Sequence, residues 1–455
     1  MTPQELAERA LSLSRSDGCQ VLVRTTGTAN LRWAGNTLTT NGVINTSAVT
    51  VIASSGESVG SVTRTGVTAD DIEDMVRAAE QSASANGPAP DVAPLVVGDA
   101  DADWSESPAE TSIAVHARSV EGLRAAFDDA RSAGYELYGY AEHTVDTTYL
   151  ASSTGLRRRH VQPGGVLELT GRADDGARSA WAGQPLRTGD DGDIGPLAED
   201  VRRRLDWARR RVDLPVGRYE TVLPPTAVGD LMLYLLWSSG GLDAHEGRTV
   251  FSATGGGTKV GEALSSVPLT LSSDPALRGW ESSPFVTASA SSRTISVFDN
   301  GLPLRRTDWV RDGRLTSLVT SRSEAATAGL PVAPMIGNLV LSVDGATGTV
   351  DDMVAATERG LLLTCLWYIR EVDPQTLLLT GLTRDGVFLV EGGEVVGAAS
   401  NYRFNESPVD LLRRCSEIGT PVATLPREFG ESQIATVMPP MRVPDFNLSS
   451  VSDAS

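Results

Sequence analysis

Basic charge is the first thing this chain lacks: 39 Lys and Arg stand against 58 Asp and Glu, a formal net charge of −19. Nucleic-acid binding requires a cationic face that neutralises phosphates, and a surface this acidic would repel them, so nucleic acid is excluded as a partner. Long apolar runs are missing as well. The most apolar stretches, 231–237 and 361–369, are far shorter than the roughly 20 residues that span a bilayer, so no membrane segment is expected. The N-terminus, MTPQELAERALSLSR, carries acids and no apolar core of the secretory kind. Three cysteines (Cys19, Cys365, Cys415) are odd in number and widely spaced, and no pair has zinc-ribbon or redox spacing. They read as reduced, buried thiols of a cytoplasmic protein.

What is present is the text of a folded protein of two or three domains. Residues 3–15 place Leu6, Ala7, Ala10 and Leu11 on one helical face, and alternation follows over 20–24, 29–33, 47–53 and 58–62. A helix over 69–83 has Ile72, Met75, Val76 and Ala79 as its inner stripe. Residues 84–108 are rich in Ser, Ala, Gly, Pro and Asp without periodicity, which reads as a linker or surface loop. A second helix over 120–133, capped by Gly134, leads into alternation over 135–142, 147–152, 156–162 and 166–172. Helix, glycine, then four strands thus occurs twice, which predicts a duplicated N-terminal half.

A further helix over 194–212 bears the run RRRLDWARRR, read as a solvated face whose arginines suit its C-terminal end. Tyr219–Leu223 reads as a strand stopped by Pro224 and Pro225, and the helix after it has one apolar stripe, Ala227, Val228, Leu231, Met232, Leu235 and Leu236. Most of the rest is strand-and-turn text, with candidate strands that include 294–299, 304–310, 315–320, 338–343, 361–369, 377–379, 386–391 and 394–398. Asn300–Gly301, Asp312–Gly313, Asp385–Gly386 and Gly392–Gly393 suit tight hairpins. Only 350–358 and 407–415 look helical there. The fold class expected is α+β: two related helix-plus-sheet modules followed by a large, mostly antiparallel β-rich C-terminal domain.

Several motifs invite a chemical reading. Gly56-Glu57-Ser58-Val59-Gly60 matches the G-x-S-x-G of serine hydrolases, but strand text on both sides predicts a hairpin and not a strand–turn–helix elbow. Thr254–Lys259 lacks the spacing of a phosphate loop. His245-Glu246 is the most tempting pair. A zinc peptidase needs a second His about one helical turn on, and Gly247–Phe251 supplies none; His116, His143 and His160 are single and lie in other units. Cys365, within LLLTCLWYI, has no local base and reads as core, and Asp351-Asp352 as a helix cap. From residues alone, no catalytic constellation forms.

Taken together, the link LPVGRYETVLPPTAVGDLMLYLL, the segments VFDNGLPLRRTDWVRDGRL and ERGLLLTCLWYIREVDPQTLLLTGLTRDGVFLVEGGEVV, and the C-terminal PPMRVPDFNLSSVS resemble, in order and spacing, the TldD/PmbA (modulator of DNA gyrase) metallopeptidase family over nearly the whole chain. TldD-type subunits of that family carry H-E-x-x-x-H on the helix after the central strand and a Cys near the C-terminus as third zinc ligand. TldE-type subunits lack both and pair with a TldD-type chain. The resemblance places the lost zinc motif at Leu235, Leu236 and Gly240, and the cysteine position near Pro426–Arg427, so it implies a TldE-like subunit with no catalytic or metal residue of its own. It further implies modules at 1–85 and 112–215, a linker at 86–111, a C-terminal domain at 216–455, and zinc only on the partner. The shared groove would take a peptide or a small amide substrate, with an unfolded peptide held as an added strand. Two alternatives stay open: a stand-alone peptide-binding protein, and an autonomous hydrolase using His245 and Glu246.

Overall fold

A computed structural model describes residues 1–432 and 434–452. Helix α1 (Pro3–Leu13) starts at Thr2, whose side chain accepts from the Glu5 amide while the Glu5 carboxylate returns the bond. Strands β1 (Gly18–Ala34), β2 (Thr37–Ser55) and β3 (Ser58–Thr65) then form a meander that ends in α2 (Ile72–Ala85). The same order repeats with α3 (Ala117–Ala133), β4 (Tyr135–Ser152), β5 (Arg157–Ala173), β6 (Arg178–Pro185) and α4 (Gly195–Trp207). Each module therefore has three strands, not four. Pairs of short alternating segments, such as 20–24 with 29–33, are two halves of one long strand, split in the sequence where Thr25–Thr28 put polar side chains on both faces.

The modules share one sheet, in the order β3-β2-β1-β4-β5-β6. At its centre β1 and β4 run antiparallel from Gln20 opposite Ser152 to Trp33 opposite Gly139. One face is apolar. Val21, Val23, Val49 and Val51 pack on α1 and α2, while Leu31, Trp33, Leu137, Leu167 and Leu169 pack on α3 and α4. Segment 86–111 is no free linker but a strap. Gln4 Nε2 donates to the Trp104 carbonyl at 2.9 Å, the Tyr149 hydroxyl to the Glu106 carbonyl at 2.6 Å, and Arg159 pairs with Asp103 at 2.9 Å. The arginines of α4 are spent within the fold: Arg203 bridges Asp200 and Asp351, and Arg204 donates to the Trp181 carbonyl.

The C-terminal half holds a six-stranded and a nine-stranded sheet. In the larger one β7 (Gly217–Leu223) lies between Arg359–Leu363, parallel, and Met441–Ser452, antiparallel. Helix α5 (Pro225–Trp237) follows β7 and is buried in one apolar core together with Leu269, Leu271, Leu339 and Met438 of the six-stranded sheet and Leu361, Leu363, Phe404 and Val443 of the nine-stranded one. This differs in detail from the sequence expectations. Residues 294–299 form a loop and a short 3-10 turn (Val297–Asp299), and 361–369 breaks into two strands at Thr364 and Cys365. Asp312–Gly313 and Gly392–Gly393 do close hairpins, but Asp385–Gly386 joins strands that do not pair with each other, and Asn300–Gly301 lies outside the ladders. The capping box of Ser321 and Glu324 starts a helix, Arg322–Ala328, that the apolar pattern does not announce.

Within α5 the one charged residue, Asp230, is fully buried. Its carboxylate accepts from the backbone amides of Arg427 (3.1 Å), Glu428 (3.0 Å) and Phe429 (3.1 Å). Burial pushes its pKa well above the usual carboxylate range, against the pull of those three donors. Truncation would strand all three amides. We expect Asp230→Ala to lower stability by about 3 kcal/mol, read by denaturant unfolding, and to raise hydrogen exchange at 427–429 above that of the rest of the domain.

Candidate functional site: a cleft between the shared sheet and the C-terminal half

The second face of the shared sheet is polar because the even-numbered residues of β1, β4 and β5 project from it. At one end it is closed by Leu22, Ile52 and Leu150, packed on Phe285, Val297 and Phe298 of the C-terminal half. Beyond that seal the face stands away from the C-terminal half and leaves a cleft of about 880 Å³. Its floor carries Arg24, Thr26, Arg32, Tyr140, Glu142 and Asp146; its far wall is built from 334–337, 424–426, 430–432 and 434–436, among other segments. Thr26 donates to Asp146 across the β1–β4 pair, and the Arg32 guanidinium lies 5.4 Å over the Tyr140 ring. His160 is held by Gln162 at 3.0 Å and edge-on to Phe285.

Near the cleft a clamp joins the two halves. Arg427 lies between the rings of Trp181, from β6, and Trp367, from the C-terminal half, 4.8 Å from each centroid. Its Nη1 pairs with Glu168 of β5 at 3.3 Å. Glu168 also accepts from the Trp181 indole at 3.0 Å and the Tyr140 hydroxyl at 3.3 Å. Cation–π stacking in a partly desolvated site adds about 1–2 kcal/mol per ring. The clamp is placed by Asp230, since the amide that Asp230 holds is that of Arg427 itself. Sequence reading found neither group. A lone acid within an apolar helix was the available signal for Asp230; nothing local marks Arg427.

The residues singled out from sequence are dispersed. Leu235 and Leu236 point into the core around α5, and Gly240 bridges Val319 by its backbone before α6 (Gly241–His245). None offers a ligand atom from a side chain, so these positions do not fit a metal. His245 and Glu246 are exposed at the end of α6, where Glu246 pairs with Arg248. Among the described residues no three His, Cys, Asp or Glu side chains converge as a metal-binding group. Gly56–Gly60 is the β2–β3 hairpin, and Lys259 donates to the Val250 carbonyl at 2.7 Å from a glycine-rich turn. Cys365 is buried at a strand break, its thiol pushed up to about 12 by desolvation. Among the described residues no helix is long and apolar enough to cross a membrane.

A polar-faced sheet of two repeated modules, closed over a cleft by a two-sheet half with a buried central helix, defines a known architecture. The chain matches the crystal structure of TldE from Thermococcus kodakarensis with a TM-score of 0.77, at 17% identity, over 98% of this chain and 99% of that one. It matches a proposed modulator of DNA gyrase from Thermotoga maritima at 0.76 and 15%, over 98% and 99%. Another such protein, from Bacteroides thetaiotaomicron, matches at 0.76 and 15%, over 99% and 98%. No curated protein matches the chain. The family model described as the PmbA/TldA metallopeptidase C-terminal domain matches residues 216–450, and the chain belongs to this TldD/PmbA/TldE family.

Two histidines give the fold a pH signature. His116 is fully buried, its Nε2 3.0 Å from the Ala29 carbonyl. Burial lowers its pKa, with the nearby His143 acting in the same direction; burial lowers that of His160 too. Between these depressed values and the ordinary one, about 6.5, the unfolded chain binds protons that the folded chain does not, so stability falls as pH drops through that window. In urea unfolding at about pH 7.5 and about pH 5.5, His116→Gln should lose less stability on acidification than the natural chain.

Proposed function

We propose that the chain is a non-catalytic, TldE-like subunit of a heterodimeric zinc peptidase, and that it shapes the substrate cleft and supports a TldD-type partner. Support comes chiefly from α5: the positions matched to the family's metal ligands are two core leucines and a glycine backbone. Near the position matched to the third ligand, Pro426–Arg427, the Arg427 side chain is committed to a clamp between two tryptophans. A side chain so engaged holds the cleft wall in place and does not coordinate. Metal, general base and attacking water would all come from the partner, and this chain would contribute the polar sheet floor against which an extended peptide or small amide lies.

The mixed lining of the cleft, arginine and carboxylate beside threonine and tyrosine, suits backbone recognition more than the selection of one side chain. Mixing the purified chain with a TldD-type partner should raise peptide or amide hydrolysis at least about tenfold over the partner alone, and a chelator should abolish it. Activity equal to that of the partner alone would refute the assignment. Tight retention of an extended peptide by the isolated chain, without cleavage and unaffected by the partner, would favour a stand-alone binding protein instead.

A further inference from the structure

Arg24, Arg32 and Arg187 line the cleft, and the last of them is out of balance with its surroundings. Arg187, in the turn after β6, keeps only 12% of its side chain exposed. Three other guanidinium groups buried to that degree have a carboxylate in contact: Arg159 with Asp103 at 2.9 Å, Arg178 with Asp174 at 2.6 Å, and Arg442 with Glu220 and Glu417 at 2.8 Å. The nearest carboxylate to Arg187, that of Glu281, stands 3.8 Å away, is half exposed, and accepts instead from the Gly279 amide at 3.0 Å. Both Nη atoms of Arg187 share one acceptor, the Glu281 carbonyl, at 3.3 Å, and its Cζ lies 5.4 Å over the Trp280 ring. Among the described residues no other acceptor is within hydrogen-bond reach of this guanidinium. Burial lowers its pKa by more than Glu281 and Asp191 raise it, as expected of a cation short of a counter-charge.

The place of this group in the cleft follows from the sheet register. On the polar face Arg24, Thr148 and His160 form one row across β1, β4 and β5, and Thr26, Asp146 and Gln162 form the next. His160 meets Phe285 of the apolar seal. Gln162, one row further from the seal, donates from Nε2 to the same Glu281 carbonyl at 3.2 Å, so Arg187 stands beside the second row, close to the closed end. The floor next to Gln162 is bare. Gly164 bears no side chain, and a Cβ there would come no closer than 3.6 Å to Thr144 Oγ1. Asp146 is engaged on the β1 side, by Thr26. From Thr26 to Arg32 the floor runs about 20 Å, room for about six extended residues. A peptide lying along it cannot continue past Leu22, Ile52 and Leu150, where the seal closes. Charge then selects which end arrives at Arg187: a terminal ammonium is repelled there, whereas a terminal carboxylate meets a guanidinium with N–H groups still to give.

We propose that Arg187 forms a carboxylate subsite near the closed end of the cleft and that it takes the C-terminal carboxylate of an extended peptide. The inference rests on reading the cleft as the place where a peptide lies, and it adds a substrate class, chains with a free C-terminus, and a direction of binding. N-acetylated hexapeptides of alternating alanine and serine, titrated calorimetrically into the full chain, test it. The free acid should bind at least about tenfold more tightly than the C-terminal amide, and an amide ending in aspartate should gain little over the neutral amide. Arg187→Gln should bring the free acid down to the level of the amide, while Arg187→Lys, which keeps the charge without the fork, should retain part of the difference. Raising salt from about 50 to about 500 mM should shrink the natural chain's preference, a readout that needs no variant to fold. Equal binding of acid and amide, no binding of the acid, a preference that Arg187→Gln leaves intact, or an aspartyl amide that matches the free acid would overturn the proposal. Hydrolysis with a TldD-type partner does not enter this measurement, so the subunit assignment can fail while the preference for the acid stands, and the reverse.

Discussion

One buried carboxylate governs the arrangement. Among the described residues no side-chain cation pairs with Asp230; three consecutive backbone amides of 427–429 converge on it from a loop nearly 200 residues away in sequence. That fixes where the loop crosses α5, and so where the Arg427 side chain emerges. Arg427 in turn reaches between a tryptophan of the N-terminal sheet and one of the C-terminal half. The separation of the two halves, and with it the width of the cleft, is thus set by a chain of contacts that starts inside an apolar helix. An unpaired buried donor or acceptor is expensive, which makes the first link in that chain hard to alter without moving the rest.

The cleft itself follows from a division of labour in the shared sheet. A period-two pattern gives each strand two faces, and here the face that carries the odd-numbered residues of β1, β4 and β5 is consumed by four helices while the opposite face is left polar. Only at one end does that opposite face turn apolar, at Leu22, Ile52 and Leu150, and there the C-terminal half seals it. Where side chains such as Thr26, Arg32 and Glu142 replace them, there is nothing apolar to bury, and the two halves part.

Much of this was legible from residues. Helices α1, α2, α3 and α5 stand where their apolar stripes put them, and the repeated module order survives as a repeat within one sheet. What misled was interruption. Thr25–Thr28 and Pro163–Gly165 break the alternation, yet β1 runs through the first because β2 and β4 pair with it on both sides, and β5 runs through the second because β4 pairs with it throughout. Conversely, 361–369 looks like one apolar strand but breaks at Thr364 and Cys365: the Thr364 amide makes the last bond of one ladder, to the Gly386 carbonyl, and Leu366 opens a new pairing opposite Thr383. The clamp was out of reach, since its members lie at 168, 181, 367 and 427 and meet only through tertiary structure.

The three thiols are all buried, and desolvation raises the pKa of each, to about 11 for Cys19 and about 12 for Cys365, with Cys415 shifted the same way. Thiolate is the reactive form, so the folded chain is nearly inert toward alkylating and oxidising reagents at neutral pH. A cysteine introduced on the cleft floor would then be the sole fast-reacting sulfur, free to carry a fluorophore or spin label without first removing the native three.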